Sequence, residues 1–230
     1  MSITDEVDRA DGSAYKHEQV TVTSDDQWVF DNTQSDWTSL TPQSKSERIL
    51  CAAGRVFSTQ GLEAPMPAVA AAANTGIGSL YRQFPSKRDL LAALVVRRLE
   101  NICTAARSVT AAAPGEHWQA LQAMLWHEVE RRKADDFLGQ ALIAVGDHPD
   151  VEAVMIRANH ELEAMIAATV TEGELRADAS ALDIRILFIA THAARSMAQD
   201  AWQRVMTLII DGLRAQPERD RSPEPKGPYE

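Results

Sequence analysis

Much that would signal catalysis, secretion or a membrane is missing from this chain. Two cysteines in 230 residues, Cys51 and Cys103, fall in separate predicted helices and form neither a disulfide framework nor a metal-ligand spacing. Both are read as structural thiols. No run approaches eighteen uninterrupted apolar residues and the acidic N-terminus has no apolar signal core, so no membrane partner is expected and the expected location is cytoplasmic. A His-Glu-x-x-His helix, a Gly-x-Ser-x-Gly elbow and a phosphate loop are all lacking, which leaves little basis for an enzyme, a metal or a cofactor. Period-two alternation of any length is lacking too, and the expected fold is all-α.

Positive charge is also short overall, with a net charge of −10. Its distribution matters more than its sum. Residues 1–43 hold Arg9 and Lys16 against nine acids, whereas residues 44–98 hold eight Lys and Arg against three acids, for +5. The remainder is again acidic, at −8. A basic segment between acidic ones marks where a polyanion would bind, and acidic surroundings disfavour wrong docking.

Within the basic segment, residues 68–84 read as a short Ala-rich helix, a tight turn and a second short helix stopped by Pro85, which is the outline of a helix-turn-helix. Ala70 and Ala73 lie where two crossing helices need small side chains. Asn74 tolerates a left-handed turn, and Gly76 opens the next helix. Ile77, Leu80 and Phe84 recur at helical spacing and are expected to point inward. Gly78, Ser79, Tyr81, Arg82 and Gln83 then face out, offering close approach and donors for phosphates and base edges in a DNA major groove. Upstream, helical signals start at Thr41-Pro42, with Ser44 and Glu47 spaced as a capping box, for a helix with an apolar face at Ile49, Ala52, Ala53, Val56 and Phe57, closed by Gly61. Downstream, Ser86 to Asp89 caps a long amphipathic helix running to about Val109.

These parts match a known pattern in order and spacing. Arg48-Ile49-Leu50 through Phe57, Gly61-Leu62, Val69-Ala70, Gly78-Ser79-Leu80-Tyr81, Phe84 and Ser86-Lys87 resemble the N-terminal segment of the tetracycline-repressor (TetR) family of dimeric bacterial transcription regulators. Asn74-Thr75-Gly76 stands where Gly-Val-Ser is usual, and Ser79 replaces a common Thr. The resemblance implies an N-terminal three-helix DNA-binding domain followed by a helical-bundle ligand-binding and dimerisation domain. It implies phosphate contacts from Lys45, Tyr81 and Lys87, with base-edge contacts from Gly78, Ser79 and Arg82 or Gln83. Its implied partners are a double-stranded DNA operator, a second copy of the chain and a small-molecule effector that releases the DNA, as from a repressor.

Domain boundaries follow from composition. Residues 1–43 form an acidic, loosely attached extension, 44–98 the DNA-binding domain, 99–216 the ligand-binding and dimerisation domain and 217–230 a Pro-, Glu- and Arg-rich disordered tail. Helical patterns are expected near 116–133, 135–146, 149–172, 179–198 and 200–215. The last two are apolar on more than one face, as helices covered by a partner copy would be. An apolar effector is expected against Trp118, Trp126, Phe137, Met155 and Phe188, with His127, His160 and His192 from three helices as polar anchors. The extension carries an aromatic patch at Trp28, Phe30 and Trp37. It opens an alternative reading, an interaction module whose arm docks a partner or masks the DNA-binding face.

Overall fold

Helices carry the described chain, which in this computed structural model comprises residues 37–131, 137–195, 197–198 and 200–215. The acidic extension up to residue 36, with Trp28 and Phe30, and the tail expected over 217–230 lie outside the described residues. After a 3-10 turn at Trp37–Ser39 come α1 (Pro42–Gln60), α2 (Met66–Ala72), α3 (Ile77–Gln83) and α4 (Lys87–Thr110). They are followed by α5 (His117–Arg131), α6 (Phe137–Val145), α7 (Pro149–Thr171), α8 (Ala181–Arg195) and α9 (Ala201–Leu213). Outside the helices, the β pairing among described residues is one antiparallel bridge, Leu175 with Arg214.

Helix ends follow local chemistry. The cap of α1 is Thr41, not the expected Ser44: its Oγ1 accepts from the Ser44 amide at 3.1 Å, with Pro42 in the first turn. Proline's missing N–H and fixed φ suit the first helical position, and that moves the start three residues upstream of the predicted box. Gly61 at φ 76 closes α1 with its amide on the Phe57 carbonyl. The capping box expected at α4 is present, with Ser86 and Asp89 exchanging side-chain and backbone bonds. The Ser86 hydroxyl, donating to Asp89 at 2.6 Å, holds that carboxyl below its ordinary range.

Two apolar clusters divide the interior. The first joins α1, α2, α3 and Leu90–Val95 of α4 to Phe137, Leu138, Ala141 and Val145 of α6 and Val151 of α7. The second joins Ile102, Ala106 and Val109 of α4 to α5, the later part of α7, α8 and α9. Although α6 follows α5 in sequence, its buried face belongs with the N-terminal helices. Leu99 touches both clusters, so one 24-residue helix, about 36 Å long, is shared by them. Where α4 passes between the two, Arg98 and Glu128 of α5 form a buried ion pair. The most extensive helix pairing is α4 on α7, edged by Arg107–Glu161 at 3.1 Å and by Arg157–Glu100. Glu172, just past the end of α7, staples the turn between α4 and α5: it accepts from the Gly115 amide at 2.5 Å and lies 2.6 Å from His117 Nδ1.

Candidate nucleic-acid interface

The reading head is held from beneath by small residues and one buried cation. Ala70 and Ala73 are buried where α2 meets its neighbours, as their size predicted. Asn74 takes φ 51, the left-handed turn that separates α2 from α3. The turn is fixed further by Arg48 of α1, whose Nε donates to the Ala73 carbonyl at 2.8 Å while the residue is only 3% exposed. Counting charges placed Arg48 with the DNA-facing bases; it is instead a brace for the end of α2. A cation one step from the apolar face of α1 was the available signal.

On α3 itself, Leu80 is fully buried and Phe84 nearly so, as expected. Ile77 is not: it is 42% exposed. It is the first residue of α3, with no preceding helical turn for its side chain to pack back upon, and it adds apolar surface to the outer face. Tyr81 is 44% exposed and Arg82 is exposed, with Nη2 donating to Ser79 Oγ at 2.7 Å. That bond lays the guanidinium along the outer face of α3 beside the half-buried Ser79.

The glycines are informative by what does not surround them. A Cβ built on Gly76 or on Gly78 meets no atom within 4 Å, and neither residue has positive φ. Glycine inside a helix costs roughly 0.5–1 kcal/mol relative to alanine. Nothing within the chain requires that cost at Gly78.

Both lysines predicted to touch phosphate rest on rings. Lys45 Nζ is 5.9 Å from the Trp37 ring centroid, and Lys87 Nζ is 5.9 Å from that of Phe57. Phe57 in turn lies 5.9 Å from Phe137 of α6. Phe137, expected to line an effector site, is thus part of the floor under Lys87. The start of α4 is also tied to the corner between α6 and α7: Arg88 pairs with Asp147 at 2.5 Å and reaches the Ala144 carbonyl at 3.3 Å. His148 Nε2 lies 3.5 Å from Asp89. No sequence signal pointed to these tethers, since some sixty residues separate the partners.

The remaining effector-site candidates are spread over the molecule. Trp118 and Phe188 are buried in the second cluster, and Trp126 packs against it edge-on to Trp202 at 6.0 Å. The Arg195 guanidinium lies 4.5 Å over that Trp202 ring. His127 is half-buried beside Glu128 at 3.9 Å, and Met155 is half-buried on α7. His160 and His192 are exposed, so the three histidines do not meet as anchors. Helical phase explains it, since both point away from the apolar stripes of α7 and α8. Among the described residues no three metal-ligating side chains gather, and no helix is long and apolar enough to cross a membrane.

Comparison with known proteins places this geometry. Residues 49–94, spanning α1 to the first part of α4, match the model of bacterial regulatory proteins of the tetR family. The chain is 28% identical over 195 residues to the transcriptional repressor KstR of Rhodococcus jostii, covering 79% of this chain and 90% of that one. It is 30% identical over 144 residues to KstR of Mycolicibacterium smegmatis, covering 61% and 70%. A solved TetR transcription regulatory protein from Mycobacterium vanbaalenii is 31% identical with a TM-score of 0.55, covering 75% of this chain and 96% of its own. The helix-turn-helix head, the all-helical body behind it and these likenesses agree: the chain belongs to the TetR family of DNA-binding transcriptional regulators.

Proposed function

We propose that the protein is a homodimeric repressor that reads its operator through α3 and leaves it when a small, mainly apolar molecule enters the second cluster. The observation that supports the reading role best is Gly78, a helix-weakening residue that no internal contact requires. With it go Ser79, Arg82 and Gln83 as base-edge contacts. Lys45, Tyr81 and Lys87 are the phosphate contacts, helped by free amides in the first turn of α4. The similarity to the KstR repressors favours repression over activation.

Dimerisation is supported by α8 and α9. Leu182, Ile186 and Ile189 recur along one stripe of α8 and are 53%, 49% and 69% exposed, with Leu208 of α9 at 53%. A second copy laying the same stripe against this one covers all four in a four-helix interface. Effector contacts are assigned to Trp118, Trp126 and Phe188, with His127 as the polar group at the edge. The helix α4 carries its end in that cluster and its start at Lys87, so a ligand preferring one packing changes how the head is presented.

The test is fluorescence anisotropy with a labelled duplex from upstream of the protein's own coding sequence. Lys87→Ala should weaken all duplexes about equally, while Arg82→Ala or Gln83→Ala should change the order of preference among them. Full affinity in Lys87→Ala would refute the placement of α4 on phosphate. Apolar compounds that raise the melting temperature should also lower operator affinity; stabilisers that never do so would remove the effector from the reading.

A further inference from the structure

We propose that the acidic aromatic segment over residues 25–36 docks on the DNA-reading head of its own chain and competes with DNA, an inference that rests on the DNA-binding reading above. Its attachment comes first. The segment joins the described fold at Trp37, which packs against the first cluster and holds Lys45 on its ring. The chain therefore enters the fold beside a cation that phosphate would otherwise claim.

Charge and shape both match. The first 43 residues carry −7 and the 44–98 segment carries +5. Within the head, Arg48, Arg88, Arg97 and Arg98 are engaged with the chain's own carbonyls and carboxylates. Arg55, the eighth cation, also has a partner within the chain, which leaves Lys45, Arg82 and Lys87 to meet an outside anion. Asp25, Asp26, Asp31 and Asp36 offer four carboxylates around Trp28, Val29 and Phe30. Ile77 and Tyr81 offer the exposed apolar surface those side chains need, on a helix whose other outward groups are polar. Even fully extended, the nine residues from Trp28 to Trp37 reach about 30 Å, several times the roughly 10 Å length of α3.

Tethering makes weak contacts count, because a short connection gives an effective concentration in the millimolar range. A head masked nine-tenths of the time has its apparent DNA affinity lowered about tenfold. Such a mask favours sites that bind tightly enough to displace it, and it weakens non-specific binding first.

The experiment uses the full chain, its D25N/D26N/D31N/D36N variant and its W28A/F30A variant, with the upstream duplex as probe. Each variant should bind DNA about tenfold more tightly than the parent at low salt, the charge variant losing its advantage as salt rises. Zero-length carbodiimide coupling, read by mass spectrometry, should join Asp31 or Asp36 to Lys45 or Lys87 in the parent, and the duplex should suppress it. Equal or weaker DNA binding by both variants, with no arm-to-head coupling, overturns the proposal. Coupling found solely between isotopically distinct chains overturns the same-chain seat in favour of the partner copy's. Coupling with no DNA binding by any variant keeps the docking and sinks the DNA reading instead.

Discussion

Replacing Glu128 by alanine tests the packing between the two clusters. Arg98 and Glu128 are 8% and 1% exposed, so the change leaves a guanidinium in a dry setting without its carboxylate. Breaking one side of a buried pair costs about 3–5 kcal/mol, whereas replacing both with apolar groups of similar volume is often neutral or better. For a chain of this size each kcal/mol shifts the melting temperature by roughly 2–4 °C, which gives a loss of about 6–20 °C for the single change. Arg98→Met with Glu128→Leu should recover most of it. The assay is calorimetry with urea unfolding at fixed protomer concentration, because dimerisation makes melting concentration-dependent. A Glu128→Ala loss below about 1 kcal/mol, or a double variant as weak as the single, would refute the claim that this pair is sealed from water.

Other outcomes follow from the same geometry. With Lys45 and Lys87 on each of two protomers neutralising four phosphates, the slope of log affinity against log salt should be about −3.6; a slope near zero would exclude the assigned contacts. Gly78→Ala should stabilise the fold by roughly 0.5–1 kcal/mol while weakening operator binding, and a variant that gains stability and keeps affinity would show that the groove does not need that space. Ile189→Glu should yield monomers or insoluble protein in sedimentation, whereas an intact dimer would move the interface elsewhere. The Glu172 hydrogen bond raises the His117 pKa, so that contribution is complete below the ordinary imidazole value of 6.5 and fades as pH climbs through the raised value. The Gly115 amide first, then His117, lowers the Glu172 pKa, so its contribution is complete above 4.5 and fades as pH falls through the lowered value. The melting-temperature gap between parent and Glu172→Gln should therefore be widest between the two ordinary values and narrow as pH climbs through the raised His117 value; a gap that widens on that climb would contradict the pairing.

The head was legible because its determinants are local. Asn74, Leu80, Pro85 and the Ser86–Asp89 box act within a few residues of themselves, and each took the expected role. Helix existence was legible for the same reason, since apolar spacing at 3.6 residues needs no knowledge of partners. What the pattern does not encode is which helix a stripe meets. Phe137 has the size and spacing of an effector-site residue, and its place under Phe57 depends on α6 turning back to the first cluster. His160 and His192 needed a helical phase finer than a count of intervening residues provides. Arg48 and Arg98 looked like surface charge because a buried ion or carbonyl partner lies 25 or more residues away.

The return of α6 to the head bears on how a distant event can reach DNA. One route is α4 itself, rigid by its length and shared by both clusters. A second runs beside it: Phe137 supports Phe57, Phe57 supports Lys87, and Arg88 is anchored to Asp147 at the far end of α6. Two connections in parallel make the start of α4 move with α6 rather than pivot alone, because tilting α4 would have to break the Arg88 contacts or carry α6 along. Under the proposed effector reading, a ligand in the second cluster would act on the head through its preference between two packings of α4 and α7, the most extensive helix pair. Coupling between sites typically amounts to about 1–3 kcal/mol, or roughly 5–150-fold in affinity, and cannot exceed the ligand's differential binding to the two packings. Exposed pairs such as Arg88–Asp147 contribute at most about 1 kcal/mol each, so the apolar contacts of Phe57 and Phe137 must carry the larger share of that coupling.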